Sequence, residues 1–249
     1  MQGAATPAGS NVSRLMTVVY DYWMRDVEKA CLADWRAQLL RNLKGDVLEV
    51  GAGTGANLAH YPRTIRRLVL AEPDRHMRRR LEANRGLSDF PRAEFSDAPV
   101  NALPMPGGAF DAVVSTLVLC SVPDLPAALA EIFRVLKPGG RFLFLEHVAA
   151  DQRPARLAWQ RRLEPVWRRV AGNCHLARRT EQAICTAGFA VDWIQRESMR
   201  KAMPLVRPCI RGVARKPAKT GVEHPVSIVQ TAGSAAPPQQ HSGADSDPE

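Results

Sequence analysis

The sequence lacks the features of several protein classes. Its five cysteines are odd in number and contain no C-x-x-C pair, which argues against a disulfide framework or a structural zinc site. Its longest apolar run, residues 112–122, is too short to cross a bilayer, and residues 1–15 lack the basic patch and apolar core of a secretory signal. We therefore expect a cytoplasmic protein with reduced thiols and no bound metal.

The charge of the chain is strongly basic. Its 249 residues carry a formal net charge of +9, and arginines concentrate near residues 63–80, 153–169 and 196–216. A basic excess suits nucleic acid or an anionic membrane surface, but it is also common in soluble proteins. The sequence contains no appended RNA-binding module and no aromatic-rich recognition motif. We therefore expect no nucleic-acid partner.

The two ends of the chain differ in composition from its middle. Residues 1–10 and 216–249 are rich in Pro, Gly, Ser, Gln and Ala, a composition typical of disordered segments. Residues 11–215 remain as one folded domain, and they contain no internal repeat.

Short apolar segments alternate with helical patterns inside this domain. Such alternation is typical of a parallel sheet that is covered by helices on both faces. Strands are predicted at 46–51, 67–72, 92–96, 110–116, 141–148, 189–195 and 209–215. Helices are predicted near 14–43, 56–61, 74–85, 124–137, 153–170 and 180–187. The order predicts a Rossmann-like, doubly wound α/β fold with N-terminal helices and a helical cap at its ligand-binding edge.

Several helix ends carry local signals. Asp74 and Asp124 each precede a helical run and can accept hydrogen bonds from its first N–H groups. The segment "KPGG" at 137–140 should stop the helix before it. Pro165 should kink the helix over 153–170 or start a new one.

A glycine-rich turn follows the first predicted strand in "VLEVGAGTGAN". Gly51, Gly53 and Gly55 let the backbone turn sharply and approach a ligand closely. The pattern from Gly51 to Ala56 also satisfies the dinucleotide fingerprint, so NAD or FAD must be weighed against S-adenosylmethionine. Glu49 would repel a pyrophosphate but would attract a cationic amino group, which favours S-adenosylmethionine.

Acidic residues follow the next two strands. Glu72 ends the second strand and is placed to accept hydrogen bonds from ribose hydroxyls, a role that fits either cofactor. Asp97 follows the third strand and is placed for an adenine amino group, while Ala98 leaves space beside the ring. A helix cap or an ordinary loop carboxylate is the alternative for both acidic residues.

Successive motifs resemble the class I S-adenosylmethionine-dependent methyltransferases. They are "VLEVGAGTGAN", "LAEPD", "LPMPGGAFDAVVSTLVLCSV" and "ALAEIFRVLKPGGRFLFLEHV", and they cover residues 45–148. "STLVLCSV", "FLEHVAA" and "WRRVAGNCHLARRT" are similar to the branch of the methyltransferase-like 7 thiol S-methyltransferases and their bacterial relatives. This resemblance implies S-adenosylmethionine as cofactor, Thr116 among its binding residues, and a seven-stranded sheet with one antiparallel strand. Animal members of that branch begin with a membrane anchor that this sequence lacks, so peripheral membrane contact has no support from the resemblance.

The methyl acceptor should lie over the carboxyl ends of strands four and five. Tyr20 and Trp23 are candidates for a lid, with plain helix packing as the alternative. Leu117 and Cys120 should line an apolar pocket, and the helix over 153–170 should pack its tryptophans over that pocket. Methyl transfer is direct, so Cys120 is expected to pack rather than to act as a nucleophile.

Two histidines are candidate proton acceptors near this face. They are His147, at the end of strand five, and His175, in "AGNCHLARR"; a structural hydrogen bond is the alternative for each. Cys174 and His175 do not form a nucleophilic couple on this interpretation, and no matching ligand set is expected around them.

The residues and the resemblance together predict methyl transfer from S-adenosylmethionine to a small molecule, with a lipophilic or aliphatic thiol as the preferred acceptor. One alternative is C-, O- or N-methylation of a quinone precursor, a phospholipid or another metabolite. Another is a non-catalytic protein that binds S-adenosylmethionine.

Overall fold

The structure is a computed structural model, and it describes residues 24–218. Tyr20, Trp23, residues 1–10 and residues 219–249 lie outside this part of the chain. Within residues 24–218 no helix combines the length and the apolar character that crossing a bilayer requires.

One mixed sheet of seven strands organises the described residues. Its spatial order is β3-β2-β1-β4-β5-β7-β6, and only β7 runs antiparallel to its neighbours. This topology confirms the predicted fold and the predicted single antiparallel strand. The strands are β1 (Gly45–Val50), β2 (Ile65–Ala71), β3 (Glu94–Ser96), β4 (Phe110–Thr116), β5 (Leu136–His147), β6 (Ala190–Ser198) and β7 (Pro208–Arg215).

Within residues 24–218, five α-helices with defined bounds accompany the sheet, and residues 24–27 are also helical. The five helices are α1 (Ala33–Leu40), α2 (Arg75–Glu82), α3 (Leu125–Val135), α4 (Pro154–Val170) and α5 (Thr180–Thr186). A π-helical turn at Glu28–Leu32 leads directly into α1. The helix predicted near 56–61 is wrong, because only a 3-10 turn at Leu58–His60 forms there. One continuous helix spans Pro165, so no new helix starts at that residue.

The predicted N-caps are confirmed. The Asp74 carboxylate accepts hydrogen bonds from two backbone N–H groups of α2, and the Asp124 carboxylate accepts one from α3. Helix α3 ends at Val135, but β5 begins at Leu136, earlier than the predicted residue 141. Leu136 pairs with Phe110 ahead of a shift in register, which adds the "KPGG" segment to the strand.

Both faces of the central strands are buried. Val47 packs on one face with α1, while its neighbour Leu48 packs on the other face with α3 and α5. The central strands are therefore apolar on both sides, which produces the continuous apolar runs in the sequence. The strand order reverses between β1 and β4, and open α/β sheets bind ligands at the carboxyl ends of the strands at such a point.

Backbone pairing reaches Lys216, the residue at which the C-terminal tail is predicted to start. Lys216 exchanges backbone hydrogen bonds with Gly139 and Gly140, and its ammonium group donates to the Leu136 carbonyl. Lys216 therefore continues the pairing at the edge of β7.

A buried glutamine anchors α4 to the sheet. Gln160 is fully buried, and its amide nitrogen donates to the carbonyls of Val148 at 3.2 Å and Leu205 at 2.8 Å. Its amide oxygen accepts from the Ala150 N–H at 2.8 Å. One side chain thus satisfies three backbone groups on two segments that α4 contacts.

We expect Gln160→Met to lower the free energy of unfolding by about 3 kcal/mol, because three backbone groups lose their partner in a buried site. Chemical denaturation of both proteins measures this difference. Gln182→Met changes an exposed glutamine of α5 in the same way and should stay within about 0.5 kcal/mol of the parent. Equal effects of the two variants would contradict the anchoring role of Gln160.

Candidate active site

The glycine turn lies at the carboxyl end of β1, at the point where the strand order reverses. Gly51, Gly53 and Gly55 have φ angles of 62°, 58° and 90°, in the left-handed region that favours glycine. A Cβ atom on Gly51 would lie 2.5 Å from a methyl carbon of Val118, whereas one on Gly53 would meet nothing within 4 Å. Gly53 is therefore the open position of the turn, where a ligand can approach the backbone.

Glu72, at the carboxyl end of β2, holds this turn. Its two carboxylate oxygens accept hydrogen bonds from the N–H groups of Gly53, at 2.7 Å, and Asp74, at 2.8 Å. Burial raises the pKa of Glu72, and these hydrogen bonds partly oppose the shift. A carboxylate can accept about four hydrogen bonds, so the capacity to accept from ribose hydroxyls remains.

Glu49 lies beneath the turn rather than beside an open cleft. Only 2% of its surface is exposed, and its oxygens accept hydrogen bonds from the Asn57 amide at 2.8 Å and the Tyr61 hydroxyl at 2.7 Å. Burial raises the pKa of Glu49 to about 7. The predicted direct contact with an amino group does not fit this arrangement, which favours an indirect role through Asn57.

Arg36 of α1 is a site residue that the sequence reasoning missed. Its buried guanidinium donates to the Asn57 amide oxygen and to the Thr116 hydroxyl, both at 2.8 Å, and pairs with Glu28 at 2.9 Å. Thr116 is therefore tied to the glycine turn. The signal in the sequence is position, since Arg36 falls on the apolar side of the helix, four residues after Leu32.

Asp97 and Ala98 follow β3 at the same edge of the sheet. Asp97 is exposed in a loop and caps no helix, and the Ala98 N–H donates to the Ser96 hydroxyl. The Ser96 carbonyl accepts from the Glu72 N–H at 2.9 Å, which places the two candidate adenine contacts next to Glu72. Their roles toward a cofactor stay predictions.

The chain turns abruptly after β4, on the expected acceptor side. Leu117 has a φ of 60°, an unusual angle for a residue with a branched side chain, and its N–H donates to the Leu145 carbonyl at 2.7 Å. Glu146 stabilises the turn by accepting from the Ser115 hydroxyl and the Val118 N–H. The loop from Leu117 to Cys120 is thereby held against the end of β5.

The segment "AGNCHLARR" is fastened to that loop. Gly172 and Asn173 both adopt left-handed backbone angles, which reverses the chain after α4. The fastening hydrogen bonds run from His175 N–H to the Cys120 carbonyl at 2.8 Å and from the Asn173 amide to the Ser121 carbonyl at 3.0 Å. The Arg178 guanidinium adds two more, to the carbonyls of Leu119 at 2.6 Å and Val122 at 2.8 Å.

This fastening completes a group of three side chains, Cys120, His147 and Cys174, here called the Cys-His-Cys cluster. One ligand atom from each lies within 4.8 Å of the others, and His147 Nε2 is 2.8 Å from Cys174 Sγ. The hydrogen bond with Cys120, aided by His147, lowers the pKa of Cys174, and the same bond together with burial raises the pKa of Cys120. The expectation that no ligand set surrounds Cys174 is therefore wrong.

His175 is not part of this cluster, and its ring contacts α4 instead. Its Nδ1 lies 3.1 Å from a carboxylate oxygen of Glu164, and its Nε2 is buried with no hydrogen-bond partner among the described residues. Burial, with a contribution from Arg178, lowers the pKa of His175, which favours the neutral imidazole that can accept a proton. The expected packing of tryptophans over the pocket is wrong for Trp159, which is 55% exposed.

The raised pKa of Glu49 predicts a pH-dependent stability. Folding favours the protonated carboxyl, so its stabilising contribution is complete below the unfolded value of 4.5 and is lost as the pH rises through about 7. Relative to Glu49→Gln, the free energy of unfolding of the parent should fall by about 2–3 kcal/mol between pH 4.5 and pH 8. Chemical denaturation across this range measures the difference.

Tyr61→Phe provides the companion test, because it removes a hydrogen bond that favours the carboxylate form. In this variant the same decline should continue to higher pH. A difference between parent and Glu49→Gln that stays constant with pH would contradict the buried, proton-binding state of Glu49.

Comparisons with known proteins agree with this geometry. Residues 48–144 match the family model described as a methyltransferase domain. The chain is 35% identical over 204 residues to thiol S-methyltransferase TMT1A of Homo sapiens, covering 80% of this chain and 82% of that relative. It is 36% identical over 104 residues to the ubiquinone/menaquinone biosynthesis C-methyltransferase UbiE of Enterobacter sp. (strain 638), covering 40% and 41% of the two chains.

A solved structure shares the fold. It is an S-adenosylmethionine-dependent methyltransferase from Methanosarcina mazei, with a TM-score of 0.55, 19% identity, and coverage of 72% of this chain and 96% of that chain. The fold, the glycine turn held by Glu72, and the extended similarity to a curated relative lead to one conclusion. The chain belongs to the class I S-adenosylmethionine-dependent methyltransferases and is related to the thiol S-methyltransferases over four-fifths of its length.

Proposed function

We propose that this enzyme methylates the sulfur of a lipophilic or aliphatic thiol. The observation that carries the proposal is the extent of the similarity to the human thiol S-methyltransferase. An alignment that covers 80% of the chain must contain the middle of the chain, at whichever residue the alignment starts. It therefore includes α4 and the "AGNCHLARR" turn on the acceptor side. The match to UbiE covers 40% of the chain and need not include those segments.

The cofactor end of the site fits S-adenosylmethionine. Glu72 has hydrogen-bonding capacity for ribose hydroxyls, the backbone at Gly53 is open to close approach, and Asp97 with Ala98 borders the place for adenine. When bound, S-adenosylmethionine supplies a methyl group on a positively charged sulfur. Only a 3-10 turn follows the glycine turn, so the helix N-terminus that binds a pyrophosphate in dinucleotide sites does not form there.

The acceptor end lies over β4 and β5. These strands are one and two positions from β1 in the sheet, so their ends lie about 5 and 10 Å from the glycine turn. Leu117, which is only partly buried, supplies apolar surface there. Holding two reactants in line in such a site can contribute roughly 7–11 kcal/mol to lowering the barrier.

A thiol must lose its proton before it reacts, because the thiolate is the nucleophile. An unperturbed thiol with a pKa of about 8.5 is only a few per cent ionised at neutral pH, so a proton acceptor increases the reactive fraction. His175 has a buried Nε2 that no described residue occupies, and Glu164 orients its ring. We assign His175 the role of proton acceptor.

The test is incubation of the full chain with methyl-labelled S-adenosylmethionine and three groups of acceptors: aliphatic thiols, quinone precursors and phospholipid amines. We expect label on sulfur. The thiol assignment would be contradicted if no thiol carried label and the label appeared on a quinone ring carbon or on a phospholipid amine. Methylation of a ring carbon is the reaction in the name of UbiE. Binding of S-adenosylmethionine in calorimetry without S-adenosylhomocysteine formation across the panel would instead indicate a non-catalytic binding protein.

His175→Ala should reduce turnover with a thiol by about 100-fold, the lower range for loss of a general base, while the Kd for S-adenosylhomocysteine changes less than about two-fold. His175→Asn is the matched variant, because its amide can still reach Glu164 but cannot accept a proton at neutral pH. Steady-state rates for both variants separate the two roles. Normal turnover in His175→Asn would contradict the proton-acceptor role and leave His175 with only a structural hydrogen bond.

The cellular context is part of the same proposal. We propose a cytoplasmic enzyme with a small-molecule acceptor and no nucleic-acid partner. Its five cysteines form no disulfide, which supports a reducing compartment. The sequence has no appended RNA-binding module, which supports a small-molecule acceptor.

A further inference from the structure

The Cys-His-Cys cluster has no role in the function proposed above. Two thiols and an imidazole converge from three segments: Cys120 after β4, His147 at the end of β5, and Cys174 in the turn after α4. His147 is 4% exposed and Cys120 is 3% exposed, so the cluster is not a chance meeting of surface side chains. His147 Nδ1 is also buried with no partner among residues 24–218, and such atoms in native structures call for an ion, a water or a catalytic role.

The donor set has a clear metal preference. Thiolate and imidazole are ligands for Zn²⁺, whereas Mg²⁺ and Ca²⁺ require oxygen donors. Structural zinc sites use four protein ligands, but catalytic sites use three and leave the fourth position to water or substrate, and two cysteines with one histidine is such a set. The described residues offer three ligands at this place.

We propose that Cys120, His147 and Cys174 bind a Zn²⁺ ion, and that the fourth position of the ion receives the sulfur of the acceptor thiol. The binding of the acceptor sulfur to the ion rests on the proposed function, whereas the binding of the ion itself does not. The cluster lies at the edge of the sheet where the acceptor is placed, because β5 neighbours β4 and β4 neighbours the strand of the glycine turn.

The size of the cluster suits an ion. Zn–S bonds of about 2.3 Å and Zn–N bonds of about 2.0 Å in a tetrahedron place ligand atoms roughly 3.5–3.8 Å apart. The three ligand atoms already lie within 4.8 Å of one another. Entry of the ion requires the 2.8 Å separation of His147 Nε2 and Cys174 Sγ to widen by less than about 1 Å, which side-chain rotation supplies.

The backbone around the cluster is held in place before any ion binds. Cys120 and His175 share a backbone hydrogen bond, and Arg178 ties the Cys174 segment to the carbonyls on either side of Cys120. His147 is the last residue of β5 and pairs with Cys209 of β7, so its backbone is fixed by the sheet. Two ligands thus sit on segments fastened together, and the third on a central strand, which is the rigidity a metal site needs.

Coordination would activate the acceptor. A thiol bound to the ion gives up its proton, which passes through solvent to the proton acceptor His175, and the sulfur remains as a thiolate. Its lone pair forms the new bond to the methyl carbon as the bond from that carbon to the sulfonium sulfur breaks. The electron pair of the broken bond stays on the departing sulfur, which becomes a neutral thioether. The methylated product is also a neutral thioether, a weaker ligand than a thiolate, so it leaves the ion.

Metal content tests directly whether the Cys-His-Cys cluster binds zinc. The full chain is stripped with a chelator, reloaded with ZnCl₂ and dialysed, and zinc per chain is then measured by mass spectrometry. We expect about one zinc per chain for the parent and less than about 0.1 for the double variant Cys120→Ser/Cys174→Ser. Cys185→Ser, which changes an exposed cysteine outside the cluster, is the matched control and should match the parent.

Substitution with cobalt tests whether the acceptor sulfur binds the ion. Co²⁺ bound in place of zinc should give the intense visible bands of a tetrahedral site together with thiolate-to-cobalt absorption in the near ultraviolet. Addition of an acceptor thiol should shift both sets of bands, and the double variant should show neither. Circular dichroism of each variant establishes that it is folded, and His147→Ala, which removes the third ligand but leaves both cysteines, should weaken metal binding by at least ten-fold.

The outcomes separate this inference from the proposed function. Zinc no higher in the parent than in the double variant, or a Cys120–Cys174 disulfide as the resting state under reducing conditions, would overturn the metal site. Metal-free parent that methylates thiols at the full rate would overturn the binding of the acceptor sulfur to the ion, while leaving thiol methylation established. One zinc per chain, with cobalt bands that do not shift when a thiol is added, would overturn the binding of the acceptor sulfur to the ion.

Discussion

A buried arginine on the first helix joins the parts that make the cofactor end. Arg36 hydrogen-bonds with Asn57 behind the glycine turn and with Thr116 at the end of β4, and Asn57 in turn binds Glu49. Burial of a charged guanidinium is costly unless its N–H groups are satisfied, so these elements must adopt one relative arrangement for the fold to form. The cofactor end is therefore defined by a polar network that lies beneath it.

A second arginine has the corresponding role on the acceptor side. Arg178 reaches back to the carbonyls of Leu119 and Val122, and it thereby brings the turn after α4 onto the loop after β4. Neither arginine is in the part of the site where chemistry is proposed. Each fixes the loops that carry reactive side chains, which agrees with the general need of active sites for loops held by a rigid scaffold.

The local features of this fold could be predicted from the sequence, because short-range chemistry determines them. Strands buried on both faces require apolar runs, and the caps at Asp74 and Asp124 require a short acceptor side chain before each helix. The helix predicted near 56–61 was wrong because the packing of the glycine turn, and not the local apolar pattern, decides the structure there. Apolar residues there pack under the glycine turn, and the tight turn leaves room for only three 3-10 residues.

The sequence by itself determined the fold class, and it determined the position of the glycine turn with Glu72 at the next strand; its family resemblance added a seven-stranded sheet with one antiparallel strand. Those features depend on residues close together in the chain. Only the tertiary structure decided that Glu49 is buried beneath the turn, that Arg36 connects three elements, and that Cys120, His147 and Cys174 meet. The longest of these contacts joins residues 80 positions apart, and nothing in local spacing fixes which distant side chains will share a buried site.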